Sequence, residues 1–163
     1  MTRRFALLLL ATMTLSFTIG RTLANLTDGE TAQGEVNAGS WASPEGCSHG
    51  FWKNYDGPWV GFTVDQTTED VFDVLDEYEL DNDMLMDALD YSGGPGAAGG
   101  AMILLKQAVA AILNAEHPEI NYPRSAGDVI ADVNDALASG ERGTMVTLAD
   151  LLEIDNKLGC PLE

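Results

Sequence analysis

Basic residues are scarce in this chain: 8 lysines and arginines stand against 26 aspartates and glutamates, for a formal net charge of −18. A surface so poor in cations cannot neutralise phosphates, which argues against nucleic-acid binding and against adsorption to anionic lipid. Cysteine is almost missing, with Cys47 and Cys160 alone, and histidine is limited to His49 and His117. Two histidines and scattered carboxylates make no spaced acid–base set of the kind a hydrolase needs. Period-2 apolar runs are absent as well, so no sheet is expected.

The longest early apolar run, Phe5 to Gly20, follows Arg3 and Arg4 and carries no charge. With small residues at Thr22 and Ala24 it reads as a signal peptide over residues 1–24, cleaved near Ala24. The run is shorter than the ~20 residues that span a bilayer, so no membrane span is expected after cleavage. The pair of arginines loosely resembles a twin-arginine export signal, and either route leads out of the cytoplasm. Cleavage removes three arginines and no acid, so Lys plus Arg falls to 5 and the net charge becomes 5 − 26 = −21. Self-repulsion of that size suits a salt-loving microbe, because about 1 M salt shortens the screening length to about 3 Å. Diffuse cation association is expected of such a surface.

Residues 25–45 are polar and rich in Gly, Ser and Thr, and read as an exposed lead-in or a single short strand before a domain over residues 46–163. Asn25 begins an N-glycosylation pattern at the cleavage point. Helical signals follow from Thr67 onward. "TTEDVFDVLDEY" (67–78) has a threonine cap and a face of Val71, Phe72, Leu75 and Tyr78. "NDMLMDALDYSGG" (82–94) repeats the pattern with Met84, Leu85, Ala88 and Leu89, stopping at Gly93. Residues 99–120 are apolar on nearly every side, interrupted by Lys106 and Gln107 before Asn114, which places this helix at the domain centre and its end at Pro118. Ser125 caps a segment whose inner face is Val129, Ile130, Val133 and Leu137. Thr147 with Asp150 predicts the start of a last helix, capped at its end by Gly159. Together these predict an all-α domain of about five helices, one buried and four amphipathic.

The two cysteines, in an exported chain, read as a disulfide closing a loop of just over a hundred residues. A thiolate at Cys47 beside His49 is the competing reading, but the negative surroundings would raise the thiol pKa. Zinc held by Cys47, His49, His117 and Cys160 has the right composition and none of the usual close spacings. "GPGAAG" (Gly94 to Gly99) spells G-x-G-x-x-G, yet a helical segment precedes it where a dinucleotide fingerprint needs a strand. A helix-to-helix connector accounts for it better, and no cofactor is expected. The acids from Asp81 to Asp90 lack the glycine turn and terminal glutamate of a calcium loop, and Asp128, Asp132 and Asp135 read as a solvated helix face. No metal site is assigned.

"EGCSHGFWKNYDGPW" (45–59) concentrates what chemistry the chain has. Phe51, Trp52 and Trp59 can bury roughly 150–250 Å² each, so the stretch reads as a loop-borne aromatic hub fastened by Cys47. Lys53 would lie over a ring or pair with an acid, and Asn54 completes the candidate contact site. "GCSHGFWKN", "PWVGFTVDQTTEDVF", the segment from Met86 to Pro123 and the closing "GCPL" resemble a family of uncharacterised extracellular domains of bacteria and archaea. The family's hallmark is a G-C-[ST]-x-G-[FYW]-W-K-N-H opening, and this chain departs from it at the final histidine, with Tyr55 following Asn54. The resemblance implies secretion and helical content and no established catalysis. "LANLTDGETAQGEVNAGSW" is similar to the segment after the signal peptide of camelysin and TasA-like surface proteins, matching at Asp28, Glu30, Thr31, Ala38 and Gly39. That likeness implies the export route.

The expectation is a non-catalytic secreted or cell-surface module whose partner is an envelope or matrix component. The alternative is a carbohydrate-binding module, with Trp41, Trp52 or Trp59 as an exposed platform, or a hydrolase of surface polymers.

Overall fold

Twenty-one residues from Gly96 to Glu116 form the helix around which the other elements gather. The computed structural model describes residues 42–162, so the signal peptide, Asn25, Trp41 and most of the polar lead-in lie outside the described residues. Five α-helices occur there: α1 (His49–Lys53), α2 (Leu85–Ala88), α3 (Gly96–Glu116), α4 (Ala126–Ala138) and α5 (Arg142–Asp155). Among the described residues there is no strand, only isolated bridges between Gly46 and Gly159 and between Thr67 and Met84. The domain is all-α, closed by one disulfide between Cys47 and Cys160.

Helix α3 is long and apolar enough to cross a bilayer, with a mean hydropathy of 1.6 over its best window. Here it is the core instead: Leu104, Leu105, Ala108, Val109, Ala110, Ala111 and Ile112 are fully buried. Its main partners are α5 and α4, which also pack on each other. Gly99 makes its start workable, because a Cβ there would stand 2.1 Å from the backbone carbonyl of Gly94. The "GPGAAG" run is thus the close-packed entry to α3, with Gly94 and Pro95 before the helix and Gly96–Gly99 as its first turn.

Helix α4 follows its sequence signals closely. Ser125 accepts the backbone N–H of Asp128 (3.1 Å) and donates to its carboxylate (2.7 Å). Val129, Val133 and Leu137 are buried, Ile130 is half-buried, and Asp128, Asp132 and Asp135 face solvent.

The expected helix over 67–78 does not form. Its capping box does: Thr67 and Asp70 exchange side-chain-to-backbone bonds of 2.9 and 3.2 Å. Beyond one turn the segment is taken over by distant partners. Thr68 bonds the carbonyls of Leu80 and Asp81 with its hydroxyl and that of Asp83 with its N–H. The N–H of Asp73 is claimed by Asn134 of α4 (2.9 Å). Acids at Glu69, Asp73 and Glu77, spaced four apart, would also repel along one helical face. Phe72, Val74 and Tyr78 still reach the core, from an irregular chain with a single 3-10 turn at Asp76–Tyr78. Burial of the intended face survives without the helix.

Helix α2 is one turn long, and Met84, expected inward, is 48% exposed at its cap. Helix α5 begins at Arg142, five residues before Thr147, because Gly140 turns the chain (φ 67°) and Ser139 takes the N–H of Glu141. Thr147 is therefore mid-helix, donating to the carbonyl of Gly143. The helix ends at Asn156, and Gly159 (φ 118°) instead pairs with Gly46.

Ion pairs are few for so many acids: four link Lys53, Arg124 and Lys157 to Asp90, Asp132, Asp155 and Glu153 among the described residues. Most carboxylates are left to repel one another. Transfer from about 1 M sodium chloride to salt-free buffer is expected to unfold the chain, seen as loss of helical circular dichroism. A spectrum unchanged in water would remove salt dependence from the account.

Candidate functional site

The hub around Cys47 is helical, not loop-borne. Ser48 caps α1 by accepting the N–H of Phe51 (3.2 Å), and the exposed Asn54 closes it through its side chain to the carbonyl of Gly50 (2.8 Å). One turn of helix turns Trp52 inward, where it is 0% exposed, and leaves Phe51 half-buried. Phe51 and Tyr55 meet the indole ring at centroid distances of 5.4 and 5.2 Å, edge to face, and His117 lies at 6.0 Å. Such pairs add about 0.5–1.5 kcal/mol each beyond area burial. Trp59 sits half-buried against the core, its indole N–H enclosed without a partner among the described residues. Lys53 points outward and pairs with Asp90 at 2.6 Å. That pair is solvated and contributes no more than about 1 kcal/mol.

Two asparagines hold the hub to the rest of the fold. The Asn114 carbonyl oxygen accepts the Cys47 N–H (2.8 Å) and the Trp52 indole N–H (3.0 Å). Its amide donates to the Cys47 carbonyl (2.8 Å) and to the Asn156 carbonyl oxygen (3.0 Å). That same Asn156 oxygen accepts the Tyr122 hydroxyl (2.8 Å), while the Asn156 amide donates to the backbone and side-chain oxygens of Gln107 (3.0 and 3.2 Å). Each amide thus makes all four of the bonds open to it, in a place without water's competition. Asn114 and Asn156 are 0% and 1% exposed. Burial and the nearby carboxylate of Asp155 push the Tyr122 hydroxyl well above its ordinary pKa, so it remains a donor. The carboxylate in turn takes Arg124 at 2.7 Å.

The disulfide closes over this network. Cys47 and Cys160 stand 4.4 Å apart at Cα. Beside them Gly46 donates to the carbonyl of Gly159 (3.0 Å), and a Cβ on Gly46 would lie 2.2 Å from the Asp155 oxygen. Upstream, Asn121 holds the entering chain through Glu45, Ala42 and Ser43. Sulfur, asparagines and tryptophan form one clamp joining α1, α3 and the chain beyond α5.

Both sulfurs are consumed in that bond, which leaves no thiolate at Cys47 and no sulfur ligands for zinc. His117 is buried against the aromatic cluster, its Nδ1 facing the N–H of Glu119 at a long 3.4 Å. His49 is half-buried, with Nδ1 enclosed and unpartnered. Among the described residues neither histidine bonds a carboxylate, and no three His, Cys, Asp or Glu side chains converge. Trp52 is too deeply buried to serve as a platform.

Asn114, Asn156, Gln107 and Tyr122 carry little in the local sequence to mark them as clamp residues. One signal was present: Gln107 and Asn114 lie seven positions apart, two turns of one face, in an otherwise apolar helix. A second unread feature is the outer side of α5. Leu151 and Ile154 are 47% and 63% exposed, Leu158 just beyond the helix is 40% exposed, and Leu151 also lines a shallow groove with Thr144, Thr147 and Leu148.

No family model, curated protein or solved structure matches this chain.

Proposed function

We propose that the chain is a non-catalytic structural or interaction module that works outside the cytoplasm, in the envelope or extracellular matrix. The observation that carries this reading is the clamp: both cysteines are spent on closure, and a lasting disulfide belongs to an oxidising compartment. The acidic composition adds the salt-loving setting. The exposed apolar line on α5 supplies a contact surface such a module needs, since bare leucine and isoleucine in a row cost solubility unless something is touched there.

Expressed as the full chain in its native host, the protein is expected in the envelope or matrix fraction, shortened near Ala24 and oxidised at Cys47–Cys160. Leu151→Asp with Ile154→Asp should move it to the soluble extracellular fraction by about tenfold, for a loss of roughly 1–2 kcal/mol in binding. An unchanged melting temperature would show the fold intact. A reduced, uncleaved protein in the cytoplasm, or a double variant that fractionates like wild type, overturns the reading.

The rival carbohydrate-binding reading rests on Trp59, whose half-buried ring keeps part of its surface open to a sugar face. Retention on a neutral polysaccharide column, lost in Trp59→Ala, would favour it.

A further inference from the structure

At ~100° per residue, Thr144, Thr147, Leu148, Leu151 and Ile154 fall within about 120° of arc on α5. Met145, Ala149 and Leu152 take the opposite side and are buried. We propose that the exposed face of α5 seats a basic amphipathic helix of a partner protein. The proposal rests on the α5 contact surface put forward above and names what occupies it.

Shape favours a helix. Leu151 and Ile154 stand 47% and 63% exposed, and Leu151 and Leu148 also line a groove of about 600 Å³. The Thr147 hydroxyl donates to the Gly143 carbonyl, so its polarity is satisfied within α5 and not offered to the groove. Gly143 leaves one end open, since a Cβ there would meet nothing within 4 Å. Side chains three and four apart form ridges and grooves that another helix fills with its own. The 14 residues of α5 give such a partner a track of ~21 Å.

Charge decides between occupants. Glu141 lines the groove, and Asp150 borders the arc on the edge away from Leu148. Neither carboxylate has an ion pair among the described residues, whereas Glu153 and Asp155 are taken by Lys157 and Arg124. No lysine or arginine stands within the arc. A second copy of the chain would bring one acid-edged strip against another, which like-charge repulsion opposes. A helix with apolar anchors and lysine or arginine at its edges covers the strip and pairs both free carboxylates.

Two synthetic peptides of roughly 14 residues serve as probes, both with leucines at i, i+3, i+4 and i+7. One carries lysine at the edges of that strip, the other glutamate. Binding to the full, oxidised chain is read by fluorescence anisotropy in about 1 M sodium chloride, where the screening length of about 3 Å silences remote acids and leaves those in contact. The lysine peptide is expected to bind about tenfold more tightly than the glutamate peptide. Leu151→Asp with Ile154→Asp should weaken it about tenfold. Added aspartates would strengthen any merely electrostatic attraction, so a loss identifies the apolar contact. Glu141→Gln with Asp150→Asn, both at exposed positions, should weaken it about threefold.

Equal binding of the two peptides, no binding of either, or wild-type binding by either pair of substitutions overturns the proposal. So does a dimer of the chain alone that Leu151→Asp with Ile154→Asp abolishes, because a second copy then covers the face. The surface and its occupant fail in different ways. If those substitutions release the protein from the envelope fraction while neither peptide binds, the contact surface stands and the basic helix falls. If they leave fractionation unchanged, the surface itself is lost.

Discussion

Cys160→Ser lowers the stability of the domain by up to about 4.7 kcal/mol, the chain-entropy value for a loop near 100 residues. The bond spans 113 positions, and a typical domain has only ~5–15 kcal/mol in all. Entropy is not the whole effect, because the bond also holds Gly46 to Gly159 and thereby ties the start of α1 to the chain beyond α5. Denaturant unfolding under non-reducing conditions should give a much lower midpoint for the variant, with a slope changed in the sense of a less restricted unfolded chain. Wild type treated with reductant should fall to the same midpoint, since both then lack the same closure. A variant that matches oxidised wild type would show that the closure adds nothing, and the clamp would reduce to its hydrogen bonds.

How much of this was legible in the sequence varies by element, for physical reasons. Helices α3 and α4 could be read because their signals are local: an apolar run bounded by Pro118, and a serine cap with Asp128 three residues on. The disulfide could be read because two cysteines allow only one pairing. Residues 67–78 failed although their capping box formed, because the bonds that end the helix come from Leu80, Asp81, Asp83 and Asn134. Local sequence carries a start signal and has no means to announce a distant competitor for the same backbone. Thr147 and Asp150 show the converse, a start pattern inside a helix already begun at Arg142. In the hub the aromatic burial was foreseen, and the one-turn helix that aims Trp52 was not, since five residues are too few for a period to show.

The asparagines are where tertiary structure matters most, and Asn114→Ala should cost about 3–6 kcal/mol. The Cys47 N–H and the Trp52 indole N–H would both be left buried without an acceptor, at about 1–3 kcal/mol each, and the Cys47 carbonyl and Asn156 would each lose a bond. Because these partners are shared, the effect should depend on them. In a Trp52→Phe background one donor is already gone, so removing Asn114 should cost about 1 kcal/mol less than in wild type, a coupling that a double-mutant cycle of chemical denaturations can resolve. Asn114→Asp is the sharper control. It keeps the two acceptor bonds and loses both donors, while placing a carboxylate among buried groups, so its stability should recover as pH falls and that carboxylate is protonated. A cost within about 0.5 kcal/mol for the alanine variant, or strict additivity with Trp52→Phe, would mean that water replaces the amide freely and that the network is an accessory to the sulfur bridge, not its partner.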